Sequence, residues 1–184
     1  MGLDMLLTKK TYVRNWAHNP PEKRFEITVL QNGKPHPKIK TERISYINEV
    51  LAEWRKNEVI HQFMLGEFSE ESFDNLYVND IKYMVEHFEA LIKAFEKCKP
   101  KETEVNGIGL SGNRITYTEI IYLYEEIINN IDEEFETIGD YFGKDPQNIT
   151  QDFLDKLKQS VNILQEEIDG NPDDSVSYRY SYSY

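Results

Sequence analysis

Residues 79–100, NDIKYMVEHFEALIKAFEKCKP, decide the fold. Ile81, Met84, Val85, Phe88, Leu91, Ile92 and Phe95 recur three and four residues apart, which places them on one stripe of a helix. Asn79 is positioned to cap it and Pro100 to stop it. A stripe that continuous must be covered, so the flanking sequence has to supply partner elements.

Downstream, residues 105–117 (VNGIGLSGNRITY) alternate Ile108, Leu110, Ile115 and Tyr117 among three glycines and read as a hairpin. Residues 118–142 read as a long helix with Ile120, Tyr124, Ile127, Ile131, Phe135, Ile138 and Phe142 on its buried side. A last helix from about Thr150 to Ile168 uses Phe153, Leu157, Val161, Leu164 and Ile168, and ends at Gly170. Upstream, residues 3–13 read as a strand. Phe25, Ile27 and Val29 alternate before Asn32 and Gly33, a dipeptide that tolerates the positive φ angles of a tight hairpin. Pro35 and Pro37 confine the returning segment to an edge or a loop. Beyond Thr41, the spacing of Ile44, Ile47, Leu51 and Trp54 predicts another helix.

The expected fold is α+β, with about four helices and a small antiparallel sheet built from the N-terminal strands and the middle hairpin. One domain is expected over residues 1–174, with residues 1–41 basic and rich in strands and residues 42–170 acidic and mainly helical. Residues 175–184 form a Ser/Tyr tail in which Tyr178, Tyr180, Tyr182 and Tyr184 alternate with small or charged residues. It reads as a flexible end, or as an added strand or strip of aromatic anchors for a partner.

Charge is unevenly shared. Residues 1–65 carry 11 Lys and Arg against 7 Asp and Glu, whereas residues 66–184 carry 10 against 26. Glu119, Glu125, Glu126, Asp132, Glu133, Glu134, Glu136 and Asp140 follow one another with no Lys or Arg between them. Such a surface repels nucleic acid and attracts a basic partner. On a helix, Glu119, Glu126, Glu133 and Asp140 would recur every seven residues on one side. The row would place a charge every ~10 Å, a coarse mimic of duplex DNA with its charge every ~1.7 Å. In the basic N-terminal segment, Lys9, Lys10, Arg14, Lys23 and Arg24 interleave with Tyr12 and Trp16, a combination that can contact single-stranded nucleic acid. Ion pairing between the two halves explains the same residues.

Other chemistry has little support. The longest apolar runs fall far short of a membrane span, and MGLDMLLTKK lacks the pattern of a secretory leader, so a cytoplasmic protein is expected. A single cysteine, Cys98, excludes an internal disulfide and a multi-cysteine zinc site. Lys97 and Lys99 beside it could lower its pKa. His18, His36, His61 and His87 show no zinc spacing, and His61 reads as a core histidine. Gly107, Gly109 and Gly112 do not make a phosphate loop. Glu125 and Glu126, being adjacent on a helix, would diverge rather than hold one ion. No metal, cofactor or catalytic residue is expected.

MGLDMLLTKKTYVRNW at 1–16, EWRKNEVIHQF at 53–63 and NLYVND at 75–80 resemble a family of small proteins carried by phages and plasmids. The chain also resembles anti-CRISPR proteins directed at type II RNA-guided nucleases. It departs from them at Leu6, where an aromatic is usual, and at Gly107–Gly112, which is aromatic-rich elsewhere. The resemblance implies an inhibitor that binds a guide-loaded nuclease stoichiometrically, without a cofactor. The alternatives are a phage metabolic enzyme with a carboxylate-rich cleft and a phage structural or assembly protein. The candidate partner-binding residues are Glu119, Glu125, Glu126, Asp132, Glu133, Glu136, Asp140, Tyr178, Tyr180 and Tyr182.

Overall fold

The computed structural model describes residues 3–55, 57–108, 112–142, 149–170, 172 and 175–183. In chain order its elements are β1 (Asp4–Tyr12), β2 (Leu30–Gln31), β3 (Lys34–Pro35), β4 (Tyr46–Arg55), α1 (Glu58–Glu67) and α2 (Val78–Lys97). Then come β5 (Lys101–Ile108), β6 (Arg114–Tyr122), α3 (Tyr124–Ile128), β7 (Ile149–Thr150), α4 (Gln151–Asp169) and β8 (Val176–Ser183). The fold is α+β with antiparallel strands, as the sequence implies. The N-terminal strands and the middle hairpin nevertheless enter different sheets, ordered β4-β1-β8 and β5-β6-β7.

The apolar stripe of α2 is the centre of the core, with Ile81, Met84, Val85, Phe88, Leu91 and Phe95 all buried. Its cap is Tyr77 rather than Asn79: the Tyr77 N–H donates to the Asp80 carboxylate at 2.7 Å, filling the place that a capping side chain three residues in is suited to fill. α4 packs alongside α2, and Thr150 caps it by accepting from the Phe153 N–H. One face of the β4-β1-β8 sheet closes the core with Met5, Leu7, Ala52, Trp54, Tyr178 and Tyr180. Trp54 lies edge-on to Phe88 of α2 and donates through Nε1 to Ser160 Oγ of α4 at 2.9 Å.

Three expectations are corrected. Residues 46–55 form a strand rather than a helix. Leu7 pairs with Ala52 and Thr8 with Val50, so Leu51 is an extra residue that bulges the strand. In a regular strand Ile47 and Trp54, seven apart, would face opposite sides; the bulge resets the alternation and puts them on the same side. A bulged strand thereby reproduced the spacing of a helix.

Residues 118–142 are not one helix. The β-branched run Ile115, Thr116, Thr118, Ile120 and Ile121 favours a strand, and β6 continues through Tyr122. α3 lasts five residues, and Asn130 ends it by turning its side-chain amide onto the Glu126 carbonyl at 2.7 Å. Glu133–Phe142 follow as tight 3-10 turns, kinked at Phe135 with φ −118° and ψ 19°. The third correction concerns residues 176–183, where the flexible-end reading fails and the added-strand alternative holds: they form β8, an edge strand beside β1.

The Asn32-Gly33 turn stands as expected, with φ of 53° and 75°, although β2 and β3 keep only two residues each. Most of residues 13–45 is an irregular excursion between β1 and β4.

Candidate interaction surfaces

The acidic residues divide among three elements instead of forming one row. Glu119 is half-buried on β6, Glu125 and Glu126 lie on α3, and Glu133, Glu134, Glu136 and Asp140 lie exposed on the 3-10 segment. Compensating cations do exist, but they come from elsewhere in the chain. Lys97 reaches Asp132 at 3.0 Å and Lys101 reaches Glu126 at 3.4 Å. Among the described residues, Glu125, Glu133, Glu134, Glu136 and Asp140 remain exposed without an ion pair. These five form the acidic surface.

Cys98, next to Glu126 and Asn130, is buried. Its thiol donates to the Ala94 carbonyl and accepts from the Asn130 amide. Burial pushes the thiol pKa up, and Glu126 adds to the rise, so the expected lowering by Lys97 and Lys99 does not occur. Lys97 is instead engaged by Asp132.

The tyrosines of β8 point mainly into the protein. Tyr178 is 1% and Tyr180 2% exposed, while Tyr182 is half-buried with its ring 4.6 Å from that of His61. His61 is a hydrogen-bonded core residue, its Nδ1 3.0 Å from the Tyr180 hydroxyl. As they stand, Tyr178 and Tyr180 offer no surface to a partner. Tyr184 lies outside the described residues.

Three tyrosines donate to carboxylates. Tyr178 donates to Glu167 at 2.8 Å, and the same carboxylate holds Lys9 at 2.8 Å. Tyr83 and Tyr141 both donate to Glu67. Burial first and then the carboxylate push the Tyr83 phenol up to about 12 and raise that of Tyr178 as well. In the unfolded chain these phenols titrate near ~10. Their contribution is thus whole below that pH and is lost as pH rises toward the folded values, where the unfolded chain has already released its protons. Thermal melts should fall steeply above pH ~10, and Tyr178→Phe should flatten the fall while costing stability at neutral pH. Equal steepness in parent and variant would show that Tyr178 ionises freely.

A second surface forms where β1 and β4 end. Met5, Leu7 and Lys9 face the helices, so Lys10 and Tyr12 face outward with Tyr46 beside them. The Tyr12 and Tyr46 rings meet edge-on at 5.1 Å, and Lys10 Nζ lies 4.3 Å from the Tyr46 ring centre. Trp16 donates through Nε1 to the Tyr12 hydroxyl at 2.7 Å, and the Arg14 guanidinium lies 4.3 Å from the Trp16 ring centre. Trp16 keeps 44% and Tyr46 46% of its surface exposed. The sequence revealed Tyr12, Trp16, Lys10 and Arg14 but not Tyr46, which the helical spacing concealed. Its signal was the β-branched and aromatic content of YINEV, read with a period of two.

Among the described residues, no three His, Cys, Asp or Glu side chains gather as a metal-holding group, and no helix is long and apolar enough to cross a membrane. No family model, no curated protein and no solved structure matches the chain.

Proposed function

We propose that the protein is a stoichiometric inhibitor of the anti-CRISPR kind, which binds a guide-loaded type II effector nuclease and hinders target DNA binding or cleavage. The observation that carries this reading is the acidic surface of Glu125, Glu133, Glu134, Glu136 and Asp140, exposed and without ion pairs among the described residues. Nucleases of that class hold nucleic acid in positively charged channels and read a short DNA motif with arginines. Carboxylates carried on two short segments match a few arginines better than they match a long stretch of DNA backbone. The inhibitor acts in the cytoplasm of the host bacterium, where such nucleases work, and needs no cofactor.

The test is a mixing experiment with guide-loaded nuclease, read as complex formation and as target cleavage. The combined Glu125→Gln, Glu133→Gln, Glu136→Gln and Asp140→Asn variant should inhibit more weakly and with less dependence on salt. Its melting temperature should equal or exceed the parent's, because repulsion among the carboxylates is relieved. Undiminished inhibition by that variant excludes the acidic surface. Failure of the parent chain to form any complex excludes the inhibitor, and metal-dependent turnover of a small substrate would favour the phage enzyme in its place.

A further inference from the structure

The basic excursion is compensated differently from the rest of the chain. Between residues 8 and 48, nine Lys and Arg stand against three Asp and Glu. Of those nine, only Lys9 has an ion-pair partner among the described residues, Glu167 of α4. The other ion pairs draw their cations from Arg55, Lys97, Lys101, Lys156, Lys158 and Arg179. Pairing between the halves of the chain thus accounts for one of these cations and leaves eight without a carboxylate partner among the described residues.

The rings are part of the same feature. Lys10 with Tyr46, and Arg14 with Trp16, are cation–ring pairs held at the protein surface. Aromatic platforms beside cations suit unpaired bases joined by phosphates, because every base presents a π face and every linkage a negative charge. Duplex DNA is read instead by an element that enters a groove, and this open end of a sheet presents none. The acidic remainder need not prevent binding. The excursion leaves the sheet at Tyr12, eight residues along β1 from Asp4, or ~26 Å. The 3-10 segment packs on α1, which follows β4 at the opposite end. The Debye length at 0.1 M salt is only ~10 Å. The cleft beneath the excursion, lined by Phe25, Ile27 and Ile44, also carries Glu26 and Glu42 and so is no phosphate site.

We propose that this end of the sheet binds single-stranded nucleic acid, with Tyr12, Trp16 and Tyr46 stacking on bases and Lys10 and Arg14 meeting phosphates. The assay contains no nuclease, so its result is independent of the inhibitor reading. The full chain is titrated with short oligothymidylate and oligouridylate strands. Binding is read for every variant as the fluorescence anisotropy of dye-labelled strands, and in the parent, because Trp54 is buried, tryptophan quenching also reports on Trp16. Binding of either strand should weaken about 50-fold between about 50 and 200 mM salt if about four phosphates are engaged. Trp16→Ala and Tyr46→Ala should each weaken it about tenfold, with unchanged melting temperatures, and Trp16→Phe should retain most of it. The Lys10→Gln, Arg14→Gln double variant should reduce the log–log salt slope by about 1.4. Absence of binding at the lower salt overturns the proposal. So does binding that the Trp16→Ala variant retains in full and polyglutamate displaces equally well, since that behaviour belongs to a general anion-binding surface.

Discussion

Removal of residues 175–184 is expected to leave the chain largely unfolded. β8 pairs with β1 from Val176 to Ser183, and its backbone also bridges to Leu76 through Tyr178. Tyr178 and Tyr180 are among the largest fully buried side chains of the protein. Deleting a buried aromatic costs ~3–5 kcal/mol, so losing both approaches the ~5–15 kcal/mol by which a domain is stable. The deletion would also bare the Lys9–Glu167 ion pair, which Tyr178 adjoins through its bond to the same carboxylate, and remove the Tyr180 hydroxyl from His61. Circular dichroism should show no cooperative melt for the truncated chain. Tyr180→Phe keeps the ring and should cost only ~1 kcal/mol for the lost hydrogen bond. A truncated chain melting like its parent would mean that β8 is not part of the folded unit.

Trp54→Ala should cost ~3–5 kcal/mol and lower the melting temperature by about 10 °C. Trp54 is 1% exposed, lies edge-on to Phe88 of α2 and donates to Ser160 of α4, so it joins the sheet to both principal helices. Trp54→Phe retains most of the packing and should cost less. The Ser160 hydroxyl still donates to the Lys156 carbonyl at 2.8 Å, so the Phe variant leaves it without an indole donor but not without a partner. Unaltered melting of Trp54→Ala together with loss of function would make Trp54 an interface residue instead of a core one.

The sequence by itself determined the features that depend on near neighbours along the chain. The α2 stripe, α4, the Asn32-Gly33 turn and the Gly-rich hairpin each arise from local periodicity or positive φ, and each is present. It also determined the separation of charge, which is a property of composition. Tertiary structure decided what local pattern leaves ambiguous. The 46–55 segment carries helical spacing and becomes a strand because β1 supplies its hydrogen bonds and a bulge at Leu51 restores the inward side for Trp54. The heptad of acids from Glu119 to Asp140 holds only if the helix does, and β6 takes its first residues while Asn130 breaks the rest. The Ser/Tyr segment has no aliphatic residue except Val176, yet it joins the core because the chain brings it beside β1, where alternate tyrosines meet His61, Phe73 and Glu167. Long-range pairing is invisible to a reading by periodicity, and it fixed which tyrosines were buried and which, Tyr12 and Tyr46, were left at the surface beside unpaired cations.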